Sequence, residues 1–156
     1  MLFLFFCFNL SSCNASSSAH LEDYKTRTLI LDSGEEITVF IAESEDQQRK
    51  GLSSIKDRDF KYNMGMLFPE SKMRERQFWM PETYFDLDIF FMNEDFYILD
   101  IHRGLKHNPK SRDKVEPTYS KVVFCQHVLE LKSSSPLAKK LRPGMILKWK
   151  KKAPTP

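Results

Sequence analysis

Two carboxylates, Asp86 and Asp88, stand two residues apart in an apolar, strand-forming run, so an extended backbone turns both to one face. Carboxylates placed this way split their pKa values, as an acid/base pair does, or hold a hard cation. Just upstream, Trp79 offers an aromatic face and Thr83 a hydroxyl. Trp79, Thr83 and Asp88 are therefore the candidate ligand-binding residues. The competing reading is structural: Asp88 accepts hydrogen bonds from turn or backbone groups, and aromatics at strand spacing pack in a core.

Other groupings are weaker. Asp100, His102 and His107 fit no standard metal-ligand spacing, and Arg103 and Lys106 between them repel a cation, so no metal is expected. Arg103, Lys106, His107, Lys110, Arg112 and Lys114 form a basic stretch able to attract a carboxylate, a phosphate or an anionic envelope polymer. The sequence has no Gly-rich phosphate loop, nucleophile elbow, Cys-x-x-Cys pair or His-Glu-x-x-His. No catalytic residue is assigned and no cofactor is expected. An enzyme of a familiar class is not indicated.

The formal charge of +3 over 156 residues is small, and bases and aromatics are not interleaved as on a nucleic-acid surface. No nucleic-acid partner is expected. Residues 2–8 are almost wholly apolar, too short to span a bilayer but suited to the core of an export signal. Leu10-Ser11-Ser12-Cys13 then resembles the lipobox of bacterial lipoproteins, in which the cysteine is acylated and becomes the new N-terminus. No Lys or Arg precedes the apolar run, which departs from the usual export signal and leaves a buried N-terminal strand as the alternative. With Cys7 lost in the signal and Cys13 lipidated, Cys125 alone remains, a small buried hydrophobe rather than a nucleophile.

These residues divide the chain into an export signal over 1–12, a lipidation site and Ser-rich tether over 13–24, one globular domain over 25–150 and a basic tail over 151–156. Within the domain, residues 26–31 and 36–42 read as a hairpin around Asp32-Ser33-Gly34-Glu35. Ser44 and Gln47 have the spacing of a capping box, and Gly51 stops the helix they begin. Residues 66–68, 77–80, 87–92 and 97–101 read as a meander of strands, followed by a long basic loop over 103–117. Strands over 121–125 and 128–132, a helix opened by Ser135-Pro136, and a closing strand over 145–149 complete the set. The expected fold is α+β: mostly antiparallel β, a small barrel-like sheet with two short helices.

The central residues resemble a small bacterial and archaeal family catalogued as domain of unknown function 192. Its segments Arg-x-Gly-Leu-Met, Gly-Met-Leu-Phe, Phe-Trp-Met-x-Asn-Thr and Pro-Leu-Asp are similar to Arg49-Lys50-Gly51-Leu52-Ser53, Gly65-Met66-Leu67-Phe68, Phe78-Trp79-Met80-Pro81-Glu82-Thr83 and Asp86-Leu87-Asp88. Val128-Leu129-Glu130-Leu131 and Arg142-Pro143-Gly144-Met145 extend the likeness, whose order and spacing agree over 37–147. The resemblance implies a compact, mostly β domain, often exported, and supplies no reaction, substrate or cofactor. Glu82 stands where the pattern has Asn, Asp86 where it has Pro and Ser53 where it has Met. An ionised Glu82 lacks the donor of an Asn amide.

The expectation is thus an exported, lipid-anchored domain facing the periplasm or cell exterior, attached to the membrane through Cys13, that binds a small or anionic ligand or a protein partner near Trp79, Thr83 and Asp88. Two alternatives stand beside it: a hydrolase using Asp88, and a purely structural or interaction module. The sequence carries no signal for an oligomeric state.

Overall fold

The computed structural model describes residues 21–110 and 118–151. The hairpin forms as the turn chemistry requires: β1 (Lys25–Ile30) pairs antiparallel with β2 (Glu36–Ile41). Gly34, at φ 91°, takes the left-handed turn position that a side chain disfavours. After β2, Ser44 caps α1 (Glu45–Lys50): its Oγ accepts from the Gln47 N–H at 3.2 Å while Gln47 Oε1 accepts from the Ser44 N–H at 3.1 Å. Gly51 ends the helix at φ 48°.

The chain then returns through Leu52, Ile55 and Phe60, all buried, to β3 (Met64–Phe68). There it pairs with β2 in parallel, Val39 opposite Gly65. The sheet is therefore mixed, which corrects the mostly antiparallel expectation: the β2 to β3 connection is a crossover containing a helix, not a hairpin. Gly65 lets the neighbouring strand lie close. A Cβ there would meet Leu131 Cδ2 at 2.7 Å and Leu129 Cδ1 at 2.9 Å.

β5 (Leu87–Met92) and β6 (Ile98–Leu105) form a second hairpin, and β8 (His127–Lys132) lies between β5 and β3. With β9 (Lys148–Trp149) beside β1, the order is β6-β5-β8-β3-β2-β1-β9, a curled half-barrel sheet. β4 (Arg74–Arg76) and β7 (Val123–Cys125) make a separate two-stranded ribbon. β3 and β5 are thus separated by β8, so the expected meander is realised only as the β5–β6 hairpin. Residues 77–80 form no strand beyond an isolated bridge from Trp79 to Tyr119. The two edges of the curl meet where Ile98 N–H donates to Met145 O at 2.9 Å and Gly144 N–H to Ile98 O at 2.9 Å.

Alternation along the strands builds two cores. One face carries Phe40, Met66, Phe68, Leu87, Ile89, Phe91 and Val128, covered by Leu52, Ile55, Phe60, Met80 and Phe85 from the connections. Leu21 and Tyr24 join this core. The other face carries Val39, Leu67, Phe90, Leu129 and Leu131, closed by Ala138 of α2 (Pro136–Lys140) and by Leu141 and Leu147. Cys125 is buried and unpaired in the first core, where burial pushes its thiol up from its ordinary pKa. No helix among the described residues is long and apolar enough to cross a membrane.

Candidate functional site

β5 and β8 pair with Asp88 opposite Leu131 and Ile89 opposite Glu130, so Asp88 and Glu130, one step apart in register, point to opposite faces of the sheet. Both oxygens of Asp88 are engaged. Its Oδ2 accepts from Arg103 Nη1 at 2.6 Å, and its Oδ1 accepts from the Gly104 N–H at 2.8 Å and Ser133 Oγ at 2.7 Å. Arg103 in turn donates to the carbonyls of Ala138 and Leu141, holding the end of α2 on the sheet. Around them lies an open cleft lined by Asp88, Asp100, Arg103, Ser133, Lys139 and Arg142.

Asp86 does not join Asp88. It accepts from Lys106 Nζ at 2.8 Å, from the His107 N–H at 3.0 Å and faces His107 Nδ1 at 2.7 Å. Partial burial raises the Asp86 pKa, but these hydrogen bonds outweigh it and hold the carboxyl at about 2. The basic stretch is likewise divided: Arg103 serves Asp88, Lys106 and His107 serve Asp86, the Lys110 carbonyl accepts from the Glu82 N–H, and Arg112 and Lys114 lie outside the described residues. His102 accepts from the Lys121 N–H at 3.0 Å, and Lys121 Nζ also reaches Asp100. No group of metal-ligating side chains forms among the described residues.

On the opposite face Trp79 and Thr83 do share a cavity, but with Glu130 rather than Asp88. The end of α1 (Gln48, Arg49, Lys50, Gly51), Leu52 and Ser53 form one wall, and Phe68, Phe78, Met80 and Pro81 another. The cavity volume is about 40 Å³, enough for a polar head group or a water molecule. The Arg49-to-Leu52 and Phe78-to-Thr83 segments that carry the family resemblance thus line one cavity with Glu130. Gly51 is favoured here by its positive φ, and a Cβ at this position would come into contact with the Phe68 ring at 3.4 Å.

Glu130 is the residue that sequence reading missed as a site. It is 4 % exposed, and no hydrogen bond or ion pair reaches its carboxyl among the described residues. Burial pushes its pKa up to about 8, against the opposing pull of the Arg76 guanidinium. It is therefore mainly a neutral acid at pH 7. The signal in the sequence was an isolated acid flanked by Val128, Leu129 and Leu131 in a strand buried on both faces. Arg76, also buried, spends its Nη1 on the carbonyls of Phe68 at 2.9 Å and Gln126 at 3.2 Å.

The hydroxyls in the cavity wall are oriented by one carbonyl. Ser53 Oγ donates to Pro81 O at 3.0 Å and Thr83 Oγ1 donates to the same oxygen at 3.2 Å. Glu82, between them, sits at φ 52°, a left-handed conformation that Asn adopts more readily than most side chains. The Asn of the family pattern at this position thus has a backbone reason, and Glu82 removes no ligand-facing donor by replacing it. His127 is buried against Phe96, ring centroids 4.8 Å apart, with Nδ1 accepting from the Glu70 N–H.

Fold and cavity together define a small β-rich domain on a curled, mixed sheet with a buried acid under a crossover helix. The chain belongs to the family of domain of unknown function 192, an uncharacterized ACR, whose profile matches residues 28–149. It is similar to a protein from Sinorhizobium meliloti 1021 proposed as a transcription regulator, at 30% identity and TM-score 0.63, covering 81% of this chain and 95% of that one. A protein of unknown function from Novosphingobium aromaticivorans DSM 12444 shares the fold, at 23% identity and TM-score 0.60, covering 81% of this chain and 85% of that one. No curated protein matches.

Proposed function

We propose that this chain is a small-ligand-binding domain of the bacterial envelope, exported and anchored through a lipid on Cys13, with its binding site in the cavity formed by Glu130, Trp79 and Thr83. The observation that carries the binding reading is the unsatisfied Glu130 carboxyl. A buried polar group without a partner costs about 1–3 kcal/mol, a cost a bound partner removes. Trp79, 37 % exposed at the cavity mouth, supplies an aromatic surface that a ligand can cover. The hydrolase reading has less support, because Asp88 would have to release Arg103, Gly104 or Ser133 to reach a substrate. The transcription-regulator proposal concerns the Sinorhizobium protein and is not carried to this chain.

A thermal-shift screen against metabolites tests the binding. A ligand at a hundred times its Kd adds about 2.7 kcal/mol of stability, and Trp79→Ala removes that gain while leaving the ligand-free protein folded. A screen in which ligand-induced shifts survive Trp79→Ala and Glu130→Leu places binding elsewhere. Cys13 and residues 1–20 lie outside the described residues, so the anchor has its own test: fatty-acid labelling of the wild type that disappears in Cys13→Ser. Label persisting in the mutant excludes acylation at that cysteine.

A further inference from the structure

We infer that the ligand of this cavity carries a small ammonium or other cationic amine head group, received by Glu130 with Ser53 and Thr83 and flanked by the rings of Phe78 and Trp79. The inference rests on the binding reading above and assigns the chemistry of its ligand.

Hydrogen-bond inventory decides the class. Both wall hydroxyls have given their hydrogens to Pro81 O, so toward the cavity Ser53 and Thr83 present lone pairs. Gln48 has likewise committed an amide hydrogen to Pro69 O at 3.0 Å. Glu130 is a carboxyl with no donor near it but Arg76, whose own Nη1 hydrogens go to backbone carbonyls. Toward the cavity, then, Ser53 and Thr83 present lone pairs, and Glu130 joins them as an acceptor once it is ionised; such a set is matched by a donor-rich group. An ammonium brings three donors and no acceptor, and the space of about 40 Å³ suits a head group of that size. Phe78 and Trp79, both in the cavity lining, supply aromatic surface of the kind that attracts a cation.

The charged groups around Glu130 are consistent with this division of labour. From β4, Arg76 lies behind it with its guanidinium 5.0 Å from the Phe78 ring. On its own strand, Lys132 turns away to Asp57, Nζ to Oδ1 2.8 Å. From α1, Arg49 pairs with Asp46 at the surface and Lys50 is solvent-exposed. From the 77–83 segment, Glu82 reaches Ser54 Oγ at 3.4 Å. β3 and β5 place Met66 and Ile89 beside Glu130, neither of which titrates.

A cation entering this site favours the ionised carboxylate, so at pH 6 its binding expels the Glu130 proton to solvent. The consequence is linkage: amine affinity rises about tenfold per pH unit up to pH 8 and then levels. Calorimetric titration of the full chain with methylammonium, butylammonium and benzylammonium, in two buffers of different ionisation enthalpy, reads both affinity and proton release. Close to one proton per ligand is expected at pH 6 and close to none at pH 9. Glu130→Gln, which keeps shape and neutrality, abolishes the proton release and the pH dependence. Benzoate binding that strengthens as pH falls would overturn the amine class while leaving the cavity as the site. Amine binding with unchanged proton release in Glu130→Gln overturns the assignment to Glu130. Absence of binding by amines, benzoate and the metabolite screen alike overturns both readings.

Discussion

Asp88 and Glu130 are neighbours across one ladder, yet they live in opposite circumstances. Asp88 is buried with three donors, one of them an arginine, and its work is to fasten β6 and α2 to the sheet. Glu130 is buried with nothing on its carboxyl and is held neutral by that isolation. An acid with both oxygens engaged by donors from elsewhere in the chain is a structural fastener. An acid left without partners next to a cavity costs stability that packing alone does not repay. Burial of a carboxyl by itself therefore points to no function; the state of its hydrogen-bond account does.

The two acids differ most in their response to pH. The folded-state pKa of Glu130, about 8, lies above its ordinary value of 4.5, so between these pH values the native protein binds a proton the unfolded chain has lost. Stability is then expected to fall as pH rises from about 5 to 8, by at most roughly 5 kcal/mol, and to level above 8. Urea denaturation across this range checks it, and Glu130→Gln should flatten this part of the profile. A wild-type profile that climbs from pH 5 to 8 and is unchanged in the variant would show Glu130 to be ionised and paired.

Asp88→Ala should act in the reverse sense at pH 7, destabilising by about 2–4 kcal/mol, because it leaves Arg103 without its charge partner and two donors unsatisfied. Arg103 is 39 % exposed, which keeps the loss at the lower end. Loss of ligand binding at the Trp79 cavity with no loss of stability would contradict the fastener role. The smallest effect belongs to Asp86→Asn. Its folded pKa, about 2, lies below the ordinary 3.8, so its contribution is present above pH 4 and lost as pH falls through 2. With Lys106 77 % exposed, solvent screening limits that contribution to below about 1 kcal/mol, read as the difference between acid denaturation curves of variant and wild type.

Local signals carried much of this architecture. The capping box at Ser44 and Gln47, the Gly34 turn and the Ser135-Pro136 helix start all depend on residues within a few positions of each other, and each formed as read. The parallel pairing of β2 with β3 and the insertion of β8 between β3 and β5 depend on contacts distant in sequence, which periodicity does not encode. The candidate site residues divide for the same reason. Asp88 and Trp79 are close in sequence, but strand alternation puts Asp88 on the far side of the sheet, and only the register with β8 brings Glu130 under Trp79. The basic loop dissolved because β6 runs on to Leu105 and carries Arg103 into the sheet.

The backbone bonds that join residues 96–98 to 144–147 have a bearing on self-association. An open curl of seven strands offers two rims, and an unpaired rim is a template on which a second chain can add a strand. Here the segment leading into β9 lies across the start of β6, so one short stretch shields both rims at that end. Loosening it, for instance by substituting the Gly144 at φ 93° with a β-branched residue, would turn a contained sheet into one open to strand exchange and aggregation.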